Sequence, residues 1–167
     1  FSNAAGKYIL ATPTNGADSD ENSGIWFLDL ATGSPTVGLT LPTLPDGGMY
    51  EGWTVINGTA VTTGKFTNVM ATDMDDPYSG SMALPDVNGS DGFFPGEDFL
   101  MNAPSGLSFP TDIAGGKAVI SIEPYPDNSE APFTLKPLVH DIPAMATDHT
   151  VYDMMQNLNF PSGTVSR

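Results

Sequence analysis

The chain has no cysteine, two histidines, and five Lys and Arg residues against twenty Asp and Glu. Without cysteine there is no disulfide, no thiolate zinc site and no cysteine nucleophile. With so few basic residues the net charge is −15. Nucleic acid and anionic membranes both need basic patches, so neither is expected as a partner. No run of about 18 apolar residues occurs, so no membrane-spanning helix is expected. The chain opens at Phe1 with no initiator Met and no visible signal peptide, as expected of a processed product.

What is abundant is punctuation. Eighteen Gly and fifteen Pro interrupt the 167 residues every few positions. That spacing suits short strands and turns and leaves little room for helices. A chain of this length is expected to form one domain, residues 1–167, burying roughly 68–70% of its unfolded surface. The strands are expected at 8–12, 25–30, 37–41, 50–56, 59–66, 117–123, 133–139 and 149–154, with a last one near 164–166. A weak helix pattern overlaps the eighth, at 151–158.

Two features carry the fold class. In 117–123, Ala118, Ile120 and Ile122 share one face while Val119, Ser121 and Glu123 share the other. Such alternation means one face buried and one face wet, the pattern of an antiparallel sandwich. Asn57-Gly58 lies between two β-rich runs. It signals a tight hairpin, because a type I′ turn needs φ > 0 at both positions. The expectation is an all-β, antiparallel, immunoglobulin-like β-sandwich with a long decorated loop. The loop is the irregular insertion at about 68–116, whose Phe93, Phe94, Phe99 and Phe109 suggest that it packs down on the sheet.

The motifs with chemical potential are few. Asp86, Asn88, Ser90 and Glu97 place oxygens at relative positions 1, 3, 5 and 12, as in a calcium-binding loop. Position 6 is Asp91, where the sharp turn prefers Gly. Asp18-Asp20-Asn22 and Asp73-Asp75-Asp76 are two further acidic knots. Calcium is the one cofactor these patterns suggest, although Asp, Asn and Gly also cluster in turns for local backbone reasons. His140-Asp141 and Asp148-His149 could bind zinc or move protons. The favoured reading is surface or strand-end histidines, since no His-Glu-x-x-His and no Gly-x-Ser-x-Gly accompanies them. Glu123, before the strand-stopping Pro124, either bonds backbone amides at that corner or is an exposed strand end.

Two segments resemble the extracytoplasmic C-terminal domain of anti-sigma-K factors. One runs Leu41-Pro42-Thr43-Leu44-Pro45, then Tyr50-Glu51-Gly52-Trp53, then Val61-Thr62-Thr63-Gly64-Lys65-Phe66. The other is Ala118-Val119-Ile120-Ser121-Ile122-Glu123-Pro124, followed by Asn128-Ser129-Glu130-Ala131-Pro132. The longer central insertion is similar to that of Bacteroidota-type relatives. The sigma-binding and membrane segments of that family are not in this sequence, so the resemblance does not imply sigma inhibition. It implies a non-enzymatic binding or sensor-type domain in the periplasm, at the cell surface or secreted, with a protein partner. The alternative is a secreted structural subunit of a surface layer or filament, self-associating by β-strand addition through 1–6 or 160–167.

Overall fold

The computed structural model describes residues 1–16, 18–81, 94–160 and 163–164. Among them are eleven strands: β1 (Ala5–Leu10), β2 (Gly24–Trp26), β3 (Leu28–Asp29), β4 (Thr36–Val37), β5 (Leu39–Thr40), β6 (Gly48–Ile56), β7 (Thr59–Phe66), β8 (Gly96–Asp98), β9 (Lys117–Pro124), β10 (Leu138–Asp141) and β11 (Tyr152–Gln156). The single helical element is a 3-10 turn at Glu21–Ser23. All strand pairs are antiparallel.

The main sheet runs β7-β6-β9-β10-β11-β1-β2-β8, with β5 added beside β1. This one path curls until its two ends meet. Met74 N–H donates to the Lys65 carbonyl on β7 at 2.8 Å. Gly96 N–H on β8 donates to Asp73 Oδ2 at 2.9 Å. A two-residue bridge therefore closes the seam, and the sheet is barrel-like and nearly continuous. The all-β, antiparallel expectation holds. Continuity is the difference from a two-layer reading: strand alternation reports that one face is buried, not whether the sheet is split or rolled.

Strand parity builds the interior. Tyr8 and Leu10 of β1, Ile25 of β2, Tyr50 and Ile56 of β6, Phe66 of β7, Ile120 of β9 and Leu138 of β10 share one core with Phe27 and Phe99. Ile9, Ala11, Trp26, Leu28 and Phe94 point the other way and form a smaller cluster. Gly52 is required at the centre of β6: a Cβ there would lie 2.1 Å from Thr63 Oγ1 and 2.8 Å from the Phe27 ring. The expected hairpin joins β6 and β7, with Asn57 at φ 51° and Gly58 at φ 84°.

Three local differences have physical causes. Residues 133–137 are not strand, and pairing begins only at Leu138. Pro132 and Pro137 bracket that stretch and remove ladder donors. The 151–158 pattern is the strand β11, with Met154 buried between exposed Asp153 and Met155. Inside the insertion, Gly96-Glu97-Asp98 forms β8 against β2. None of these three residues favours strand, so tertiary context overrides their propensity. The described part of the insertion does pack down, with Phe94, Phe99 and Phe109 against the two clusters.

Candidate functional site

The outer face of β7-β6-β9 carries the chemistry. Glu51 sits opposite Lys65 on β7 and Ser121 on β9, and Met49 sits opposite Glu123. Side chains two apart on a strand share a face, so Glu51, Trp53, Lys65, Ser121 and Glu123 converge there. The chain after Pro124 then folds back over this face. Lys65 Nζ donates to the Asp127 carbonyl at 3.1 Å, and Phe133 N–H donates to Glu123 Oε1 at 2.8 Å. Tyr125 N–H also donates to the Gly47 carbonyl at 2.9 Å and Ile122 N–H to the Leu135 carbonyl at 2.8 Å, so the segment 125–136 is a cover held down along its length.

Under that cover lie three carboxylates. One oxygen each from Glu51, Glu123 and Asp127 lies within 4.8 Å of the others. Glu51 is 3% exposed and Glu123 1%; Asp127 is half-buried at the rim. Each has one oxygen well held. Thr62 Oγ1 donates to Glu51 Oε1 at 2.6 Å, Ser121 Oγ donates to Glu123 Oε1, and Ser129 N–H donates to Asp127 Oδ1 at 3.1 Å. Each also has one oxygen, Glu51 Oε2, Glu123 Oε2 and Asp127 Oδ2, that is buried and accepts no hydrogen bond. Lys65 Nζ stands 3.6 Å from Glu51 Oε2, an ion-pair distance and not a hydrogen bond.

The electrostatics follow from this geometry. Burial pushes the Glu51 carboxyl up to about 7, against the lowering pull of Thr62 and Lys65; the nearby Glu123 and Asp127 charges push it further the same way. Trp53 seals the inner edge, its Nε1–H donating to Ser121 Oγ at 2.8 Å. The donor set is all hard oxygen, which suits calcium, magnesium or manganese and not copper or zinc. Two carboxylates this close would also suit acid–base work.

The sequence-derived candidates fall elsewhere. Asp86, Asn88 and Ser90 lie outside the described residues. Glu97 is fully buried on β8, where its carboxylate accepts from Ser79 Oγ and from the Asp98 and Tyr78 amides. Asp73 and Asp98 flank it. Asp98 accepts from Trp26 Nε1 at 2.8 Å and from Thr14 N–H at 2.7 Å. Asp18 and Asp20 border an open depression of about 350 Å³ with Asp112 and Asp148. His140 Nδ1 is bonded to Tyr8 Oη at 2.9 Å, while His149 is exposed beside Asp148. The structure therefore brings together Glu51, Glu123 and Asp127, which no sequence spacing connects. The available signal was parity, which puts Glu51 on the Trp53 face and Glu123 on the Ser121 face; the register joining them is not in the sequence.

Comparison with protein-family models gave no match, and comparisons with curated proteins and with solved structures gave no significant similarity.

Proposed function

We propose that this chain is a non-enzymatic binding or sensor-type β domain that works outside the cytoplasm, similar to the C-terminal domain of anti-sigma-K factors. The observation that carries the reading is the deployment of its polar groups. Buried carboxylates are tucked under a cover, and His140 is engaged by Tyr8 within the fold. The residues behind the resemblance serve as framework: Tyr50 Oη donates to the Pro42 carbonyl at 2.6 Å, Trp53 to Ser121, and Glu123 fixes the returning chain. On this reading the rolled sheet is a variant of an immunoglobulin-like sandwich, its β7-β6-β9 and β1-β2-β8 portions standing as two layers over a shared core. A protein partner would dock on an exposed surface, with acidic depressions such as that bordered by Asp18 and Asp148 favouring a basic contact.

The structural-subunit alternative asks the terminal arms to be donated to a neighbour. Against that, Phe1 stacks edge-on with Phe160 at 5.7 Å. Ala5 and Gly6 already pair with β5, and Gly6 also with β11. Sedimentation velocity of the full chain tests the choice. A monomer across the concentration series is the expected result. Large species that vanish when residues 160–167 are deleted would overturn the sensor reading in favour of strand exchange.

A further inference from the structure

We propose that Glu51, Glu123 and Asp127 form a binding site for a calcium-sized divalent cation beneath the 125–136 cover. The proposal is independent of whether the domain senses, binds or assembles.

Three observations carry it. The first is the orphaned atoms. A carboxylate oxygen buried without a partner costs several times what an exposed one does, because nothing replaces the water it lost. Here one atom without a hydrogen bond comes from each of three residues, Glu51 Oε2 having only the Lys65 ammonium at 3.6 Å, and one carboxylate oxygen of each residue lies within 4.8 Å of the others. The second is charge. Three carboxylates and Lys65 sum to −2 when all are ionised. A divalent cation is the simplest species that cancels it, and burial makes cancellation worth most. The third is size. Oxygens bound to calcium stand 2.3–2.6 Å from the ion. Two such oxygens can be at most about 5 Å apart, a limit that follows from those bond lengths. The cluster meets it with every pair inside 4.8 Å.

The chain supplies the rest of a built site. Thr62, Ser121, Ser129 and the Phe133 amide each hold the opposite oxygen of a carboxylate, fixing its orientation. Such second contacts tune a metal ligand's direction and affinity. Asp127 lies at the half-buried rim of the cluster. Lys65 keeps its bond to the Asp127 carbonyl and so holds the cover shut over the ion. The acidic group at Asp73, Glu97 and Asp98 offers no comparable site, because none of its buried oxygens is without a partner.

The test is calorimetric titration of chelator-treated full chain with calcium chloride, repeated with Asp127→Asn and Glu123→Gln, and with magnesium as competitor. Asp127→Asn is the milder change, since the residue is half-buried and Asn retains the oxygen that accepts from Ser129. Terbium luminescence excited through tryptophan gives a second readout, because Trp53 lies one hydrogen-bonded residue from Glu123. The expected result is one site in the parent, weakened by about tenfold or more in each variant, as affinity in such sites follows ligand charge. Loss of the terbium signal should accompany it. Absence of calcium binding to the parent would overturn the proposal. So would binding that both variants retain unchanged, which would place the ion elsewhere.

Discussion

Two groups of buried carboxylates lie on the same rolled sheet, and they differ in how their oxygens are used. At the seam, Asp73, Glu97 and Asp98 spend theirs on the protein itself: Asp73 ties β8 to β7, Glu97 gathers Ser79 and Tyr78, and Asp98 pins Trp26 and Thr14. On the outer face, Glu51, Glu123 and Asp127 each use one oxygen to fix their own position and leave the other without a hydrogen bond, Glu51's facing the Lys65 ammonium at 3.6 Å. Burial of acid is common to both. The difference lies in hydrogen-bond satisfaction, and it separates a carboxylate that holds a fold together from one that is set to receive something.

The sharpest way to break that comparison is to remove one member from each group in chelator. Asp98→Ala should cost about 3–5 kcal/mol in denaturant unfolding, since it strands the Trp26 and Thr14 donors in the interior. Glu123→Gln should be close to neutral, because it keeps an acceptor for Phe133 and puts a donor where Glu123 Oε2 has no hydrogen bond. Equal losses would mean that the two groups play the same part.

A pH series sharpens it further. Burial pushes Asp73 up to about 7 and Glu97 up to about 8, from ordinary values of 3.8 and 4.5. The folded protein therefore holds protons that the unfolded chain has released. Their stabilising contribution is full below about pH 4 and is lost as pH rises through 7 to 8. In chelator the melting temperature should fall between pH 5 and pH 9. Asp73→Asn, which preserves an acceptor for Gly96, should flatten the decline. A melting temperature that climbs over this range would show the seam acids ionised in the fold.

Two glycines give the smaller effects. Gly64 has φ 103°, and a Cβ on it would lie 2.3 Å from the Asp73 carboxyl carbon. Gly64→Ala should destabilise by about 2 kcal/mol by straining the backbone and displacing the bridge across the seam. Gly58, at φ 84° in the hairpin turn, has open space around it. Gly58→Ala should cost only the left-handed backbone penalty of about 1 kcal/mol. Comparing the two by thermal unfolding measures what the seam contact adds beyond the φ requirement.

How much of this was legible beforehand depended on distance along the chain. The hairpin at Asn57-Gly58 is a local fact and is present in the structure; the two faces of 117–123 are also there, but the face expected to be wet, Val119, Ser121 and Glu123, is buried as deeply as Ala118 and Ile120. Tyr50 and Trp53 are large buried aromatics whose polar atoms need partners, and they find them in the Pro42 carbonyl and Ser121 Oγ. The strand β8 was hidden because Gly, Glu and Asp make a poor strand anywhere except against β2. The outer carboxylates were hidden because Glu51 and Glu123 are 72 residues apart in number and meet only through the β6-β9 register. Of the two readings of Glu123, an anchor for backbone amides or an exposed strand end, the structure has the first: it is buried and accepts from the Phe133 amide. Its second oxygen, the one left bare, could be found only once the cover at 125–136 was in place.

The most direct measurement is the melting temperature of the parent, Glu123→Gln and Asp98→Asn at pH 7.5, each with millimolar calcium and with chelator. The account predicts that calcium raises the melting temperature of the parent and of Asp98→Asn by the same amount and that of Glu123→Gln by clearly less, by mass action on a site present only in the folded state. No rise in the parent, or an equal rise in all three, would contradict it.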